Sequence, residues 1–364
     1  MQTLERITVT GFKSIRELRD FNIRQLNVLV GANGAGKTNF ISLFKLLNHL
    51  IERRLQVFVA QSGGADVFLH FGRKVTDQID VALEFGEGNI GSGYDVKLLP
   101  SATANLVIGG EHCWYHRRDE FPKPYDHWVG GGYEESRLPE DNRPTAQLAL
   151  KLLMGCKVYH FHDTGESARI KQIGDIADNA MLKPDAANLA AYLYLLKHQF
   201  PNHYRQIVST VRLVAPFFDD FVLRPLPENQ NKIRLEWREL GSDNYFDSSY
   251  FSDGTLRFIC LTTLLLQPQL PSLVIIDEPE LGLHPYSINV LADLLSATAT
   301  KTQVLVSTQS VSLVNQFQPE DIIVVDRQGA ESVFSRLDSA GLEDWLTEYS
   351  LGELWEKNVI GGRP

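Results

Sequence analysis

Apolar residues along the chain recur in two rhythms: short continuous runs closed by turn residues, and longer stretches at three- and four-residue spacing. Leu4, Ile7 and Val9 lie in a short extended run that Gly11-Phe12-Lys13-Ser14 turns. Residues 26–30 (LNVLV) are almost entirely apolar and stop at Gly31, the pattern of a parallel strand buried on both faces. From Lys37 the rhythm becomes helical, with Phe40, Ile41, Phe44, Leu47 and Ile51 on one side. Residues 79–85 and 94–98 alternate with period two and predict strands of a mainly antiparallel piece. Residues 109–143 mix Gly, Pro, aromatics and charge, and read as loops with short strands.

The second half begins with two helical stretches, 144–155 and 185–214; Asp185 is placed to cap the second and Pro216 to close it. Residues 231–239 alternate again, with Ile233, Leu235 and Trp237 on one face. A helix follows Gly254, carrying Leu256, Ile259, Leu261, Leu264 and Leu265. Residues 273–276 and 303–306 read as short buried strands, and 321–325 as a third. There is no internal repeat, no low-complexity linker and no sustained heptad pattern. This order predicts an α/β nucleotide-binding domain whose two halves are separated by a mixed insertion.

Composition adds boundaries. At 364 residues with 43% hydrophobic and 22% charged positions, the chain has a globular composition with enough apolar residues for a large core. Three cysteines (Cys113, Cys156, Cys260) form no paired motif, which argues against a disulfide framework or a zinc ribbon. The absence of a signal-like N-terminus or a long apolar span predicts a soluble cytoplasmic protein with no membrane role. The net charge of -10 is unevenly spread. Residues 1–60 hold nine Lys+Arg and four Asp+Glu, a net of +5, whereas 301–364 hold five and ten, a net of -5. The basic excess is either a solvated face or a surface for a polyanion.

Two motifs carry chemistry. Gly31-Ala-Asn-Gly-Ala-Gly36-Lys37-Thr38 matches G-x-x-x-x-G-K-[ST], between a buried strand and an amphipathic helix. Such a loop turns backbone N–H groups onto phosphate oxygens, and the following helix adds positive charge at its N-terminus. Lys37 is the candidate to neutralise the terminal phosphates, and the Thr38 hydroxyl to ligate Mg²⁺. The second motif is Leu273-Val-Ile-Ile276-Asp277-Glu278-Pro279. It delivers two carboxylates to the C-terminal edge of a parallel sheet, Asp277 for Mg²⁺ and Glu278 to polarise an attacking water.

Together the motifs resemble the Walker A and Walker B of P-loop ATPases. The run Asp277-Glu-Pro-Glu-Leu-Gly282-Leu-His284-Pro285 resembles that of ABC-type ATPases related to RecF, SMC heads and the OLD family. Gly11-Phe12-Lys13-Ser14 is similar to the N-terminal turn of that group, and Ser252-Asp253-Gly254-Thr255 to its degenerate signature. Val306-Ser307-Thr308-Gln309-Ser310 resembles its switch segment, where many relatives have His in place of Gln309. The resemblance implies a P-loop ABC-type ATPase head with a mixed α+β insertion between Walker A and the signature. It places ATP and Mg²⁺ on Asn33, Gly34, Ala35, Gly36, Lys37, Thr38, Asn39 and Asp277, with Glu278 and Gln309 at the hydrolytic step.

It also implies a head-to-tail homodimer in which Ser252 and Gly254 complete the site of a second copy, and slow turnover because Gln309 cannot titrate. The narrower likeness is to prokaryotic RecF/SMC-like AAA ATPases of phage-defence and abortive-infection systems, acting with a separate effector protein. The alternative is a RecF-like repair ATPase whose task is binding DNA. On this basis the segments are 1–60 and 246–330 for the two halves of the head, 61–245 for the insertion and 331–364 for an acidic tail.

Other features stay open. His160 and His162 with Asp163 make either a metal site or hydrogen-bonded structural residues, the commoner use of such a pair. Cys113-Trp-Tyr-His-Arg-Arg118 interleaves aromatics with Arg, as single-strand binders do, but acidic neighbours favour an ordinary strand and loop. Gln61 and Gln78 both qualify for a glutamine lid loop. The tail, with Trp345, Leu346, Leu351 and Trp355, packs back on the domain or docks another protein.

Overall fold

Two six-stranded sheets share a layer of helices in the structure, a computed structural model that describes residues 2–363. The first sheet is antiparallel and contains β1 (Thr3–Phe12), β2 (Ile15–Asn22), β4 (Ile79–Glu87), β5 (Ile90–Pro100), β6 (Leu106–Arg117) and β7 (Tyr125–Gly130), in the order β2-β1-β4-β5-β6-β7. The second contains β3 (Leu26–Val30), β8 (Cys156–Tyr159), β15 (Leu273–Asp277), β16 (Gln303–Ser307), β17 (Ile322–Gln328) and β18 (Glu331–Arg336). Its order is β18-β17-β3-β16-β15-β8, parallel except for the β17–β18 hairpin.

The second sheet is buried on both faces, which explains its continuous apolar runs. Alternate residues serve opposite cores. Leu29, Ile275, Leu305 and Ile323 face the antiparallel sheet across α1 (Lys37–Ile51) and α3 (Pro144–Met154). Val28, Val274, Val304 and Val324 face α6 (Asp253–Leu265) and α7 (Pro285–Ala299), as well as the helices of the lobe. The short α2 (Leu55–Gln61) closes the first layer, and α8 (Val311–Val314) follows β16. The lobe carries α4 (Leu189–Gln199), α5 (Pro201–Val214) and two three-stranded sheets. These are built from β9 (Gly174–Asp175), β11 (Pro225–Leu226) and β12 (Asn229–Ile233), and from β10 (Phe218–Val222), β13 (Glu236–Glu239) and β14 (Tyr245–Asp247).

Several local expectations change. The stretch 109–143 holds most of β6, a twelve-residue strand, because the buried Glu111 interrupts its apolar alternation. That carboxylate accepts from Tyr94 Oη and Ser136 Oγ, each at 2.6 Å, so its burial is compensated. The helical stretch 185–214 is broken at Pro201, which has no N–H to continue α4 and instead starts α5. Its first cap position is Asn188, three residues beyond Asp185. Residues 231–239 divide between β12 and β13, in different sheets. Cys156–Tyr159, within the segment read as insertion, forms one edge of the parallel sheet, and Glu331–Arg336, within the segment read as tail, forms the other. The remainder of that tail folds back as α9 (Glu343–Leu346) and α10 (Leu351–Glu356). Trp355 is fully buried there and donates its indole N–H to Gly362 O at 2.5 Å.

Candidate functional site

The fully buried strand β3 ends at Gly31, and residues 31–36 turn the chain into α1. Gly36 has φ +120°, and a Cβ there would stand 2.0 Å from Ser332 Oγ and 2.8 Å from Ser14 Oγ. Only glycine fits. Those serines stitch the loop in place: Ser332 Oγ donates to Ala35 O at 2.5 Å, and Asn39 Nδ2 donates to Ser14 Oγ at 2.7 Å. The Gly11–Ser14 turn is therefore part of the site's frame, and Ser332 of β18 is a frame residue that the sequence did not disclose.

Lys37 is buried, and its Nζ donates to Gly31 O at 2.5 Å and Ala32 O at 3.1 Å. Burial holds its pKa below the usual lysine value, opposed by the carboxylates of Glu278, Asp277 and Glu280. A buried cation held by carbonyls at the start of a helix can exchange those contacts for an anion. Thr38 is exposed, and among the described residues its hydroxyl makes no hydrogen bond. Thr38 and Asp277 offer only oxygen donors, which suits a hard cation such as Mg²⁺.

Strand β15 ends on Asp277, which accepts from Ser307 Oγ on the neighbouring β16. Glu278 follows at φ +45°, a conformation that costs a non-glycine residue on the order of 1 kcal/mol and marks a constrained position. Its N–H donates to Ser307 O at 2.9 Å, while its Oε1 accepts from Gln309 Nε2. Glu280 Oε1 accepts from Thr308 Oγ at 2.5 Å and from Gln309 N at 3.0 Å, whereas its Oε2 is buried and without a partner. Burial raises the Glu280 pKa; hydrogen bonds from Thr308 and the backbone oppose the shift, and Glu278 adds to it. The switch segment is thus fastened to two carboxylates of the same run.

Ser252 and Gly254 lie elsewhere, against the Glu280–Leu283 turn. Ser252 caps α6, its Oγ accepting from Thr255 N at 3.1 Å. A Cβ on Gly254 would lie 2.3 Å from Gly282 O, so the close approach of helix and turn requires glycine. Arg257, one turn along α6, donates to Leu281 O and His162 O, each at 2.9 Å. His162 Nε2 in turn lies 2.9 Å from Asp277 O. Arg257 and His162 connect the capped helix to the Asp277 strand. Neither was legible as a partner, because their contacts join distant parts of the chain.

His160 and His162 lie with ring centroids 3.9 Å apart and planes tilted by 48°, and burial together with His162 pushes the His160 pKa down to about 4. His162 is bonded to a backbone carbonyl, and no group of three or more metal-ligating side chains exists among the described residues. Gln61 ends α2 on the surface, and Gln78 Nε2 donates to Asp80 Oδ2 at 2.7 Å, so neither is bonded to the nucleotide loop. No helix among the described residues is long and apolar enough to cross a membrane.

Comparison with known proteins fits this geometry. Residues 119–315, more than half of the chain, match the family described as "AAA domain, putative AbiEii toxin, Type IV TA system". An SMC head solved bound to the C-winged helix domain of ScpA is similar over 93% of this chain and 99% of its own, at 14% identity and a TM-score of 0.62. So is an Smc head domain with an extended coiled coil, bound to the C-terminal domain of ScpA derived from Pyrococcus furiosus, with 96% and 99% coverage, 14% identity and a TM-score of 0.58. No curated protein matches. The fold is that of an ABC-type P-loop NTPase of the SMC/RecF kind.

Proposed function

The chain belongs to the AAA-domain family that it matches, and on that premise we propose that it is a cytoplasmic, Mg²⁺-dependent ATPase whose ATP-bridged dimer gates an anti-phage response through a separate effector protein. The observation that carries this reading is a separation. Lys37, Asp277, Glu278 and Gln309 form one connected centre, while Ser252 and Gly254 are held on a turn beside it.

In this mechanism the backbone of residues 33–38 and the start of α1 receive the phosphates, and Lys37 leaves the carbonyls of Gly31 and Ala32 to neutralise them. Thr38 and Asp277 would hold Mg²⁺, which when bound screens phosphate charge. Glu278 accepts the proton of the attacking water, held in place by Gln309 Nε2. The same amide can donate to the γ-phosphate but cannot change charge, so turnover is slow. Ser252 Oγ and the N-terminus of α6 meet the γ-phosphate bound by a second copy, arranged head to tail, and hydrolysis loosens the pair.

The partner-bound SMC heads among the similar structures support a separate binding partner as part of the reading. A RecF-like DNA-binding role draws on the basic excess of residues 1–60. It ranks second because Arg6, Arg16, Arg19 and Arg53 are each paired with a glutamate.

ATP turnover measured together with the mass of the ATP-bound species tests the proposal. Glu278→Gln is expected to lower turnover by about 10²-fold or more while leaving an ATP-dependent dimer. Lys37→Ala is expected to lose both hydrolysis and dimer. Wild-type turnover in either variant overturns the site assignment, and a Glu278→Gln protein that stays monomeric at saturating ATP overturns the dimer.

A further inference from the structure

The antiparallel sheet buries one face; the other meets solvent, and its side chains fall into cross-strand rows. One row runs Thr8, Ala82, Asp95, His112, Trp128, and the next Arg6, Glu84, Gly93, Trp114, Asp126. The two indoles lie over glycines. A Cβ on Gly93 would meet Trp114 Nε1 at 2.3 Å, and one on Gly110 would meet the Trp128 ring at 3.0 Å. His112 stands edge-on to Trp128, with ring centroids 4.3 Å apart. A cavity of about 520 Å³ opens here, lined by Ala82, Asp95, Gly110, His112 and Trp128.

Asp95 is the unusual member of this face. Among the described residues its carboxylate accepts no hydrogen bond and has no ion-pair partner. Neighbouring cations are already engaged, Arg6 with Glu84 and Lys97 with Asp80 at 3.7 Å, and His112 Nδ1 stands 3.8 Å from Asp126 Oδ1. Burial, with Glu84 and Asp126 close by, pushes the Asp95 carboxyl up to about 6. A half-buried carboxylate without a cation and an exposed indole, on either side of His112 and lining one cavity, present the two groups that bind a guanidinium, a charged acceptor and a π-face.

We propose that this sheet face docks an arginine-rich segment of a partner protein, with one guanidinium seated in the cavity between Asp95 and Trp128. Charge complementarity selects this occupant. Asp80, Glu84, Asp95, Asp126 and Glu5 outnumber Arg6, Lys97 and Arg118 on the face, which repels a phosphate backbone despite the two tryptophans. In the Trp114 stretch the indole lies with the Arg118 guanidinium over Gly91, whereas the Trp128 indole lines the cavity that Asp95 also lines. A planar guanidinium can stack on the Trp128 indole while donating two N–H groups to one carboxylate; an ammonium can make only the charge contact.

Binding of a labelled Arg-Gly repeat peptide to the full chain, followed by fluorescence anisotropy, tests this. Asp95→Asn and Trp128→Ala are each expected to weaken binding by about tenfold, with Trp128→Phe retaining most of it. Neither site touches the nucleotide centre, so unchanged ATP turnover in the variants confirms that they fold. Equal affinity in wild type, Asp95→Asn and Trp128→Ala overturns the proposal. So does Trp128-dependent binding of a single-stranded oligonucleotide, and a Lys-Gly repeat bound as tightly as Arg-Gly overturns the guanidinium. Because the readout is peptide binding, its failure is distinct from failure of the ATPase reading.

Discussion

The centre around Lys37 and the loop around Ser252 are built to opposite designs. At the centre each element is tied to another from far along the chain: Gly36 to Ser332 and Ser14, Glu278 to Gln309, and Asp277 to Ser307. The Ser252 side chain bonds within the first turn of the helix it caps, is exposed, and has Tyr250 and Leu281 open to solvent beside it. A group that must hold still through a reaction gains from cross-links that fix its rotamer. One that must engage a second molecule gains from standing clear on a rigid helix end. The difference teaches where the chain is complete alone and where the proposed second copy has to supply the missing contact.

The largest test of that contrast is Gly254→Ala. Its methyl would lie 2.3 Å from Gly282 O, forcing the helix end or the turn to move. ATP binding at Lys37 is expected to persist, while turnover falls by about 10²-fold and the ATP-dependent dimer is lost. Equal loss of nucleotide affinity would show that the two regions are not separable. A smaller effect is expected from Arg257→Ala, which leaves the carbonyls of Leu281 and His162 without their donor. Urea unfolding should show a loss of about 1–3 kcal/mol, and turnover should drop about tenfold at temperatures where the variant is folded. Arg257→Lys should recover stability better than turnover, since one ammonium cannot hold both carbonyls in the planar geometry. A turnover loss that merely tracks the folded fraction would make Arg257 structural only.

The same contrast governs what could be read from sequence. The loop 31–38 and the run 277–285 are contiguous, and their flanking apolar strands fix where they lie, so motif and place were legible together. The cross-links were not. Ser14 meets Ser332 across 318 positions, and His162 meets Asp277 across 115, with no local pattern to announce either contact. Strand β6 was hidden for another reason, since the buried Glu111 reads as a surface residue until Tyr94 and Ser136 are seen to satisfy it. The Pro201 break was visible in the sequence but was outweighed by apolar spacing on both sides.

Glu280→Gln separates structural from chemical stitching at the centre and has the smallest expected effect. The carboxylate holds Thr308 and the Gln309 N–H through Oε1 and leaves Oε2 buried without a donor. Its raised pKa means that the ionised form is penalised in the folded chain: stability falls as pH rises from the unfolded value of 4.5 through the folded one. An amide can keep the Oε1 contacts and removes the charge. Glu280→Gln is therefore expected to unfold at slightly higher urea than wild type at pH 7, by up to about 1 kcal/mol, with the gap closing below pH 4.5. Turnover is expected to fall only a few-fold, since Gln309 stays in place. A stability gain without that modest loss would mean Glu280 only carries a burial cost; a loss as large as that of Glu278→Gln would move it from fastening the switch segment into the chemistry itself.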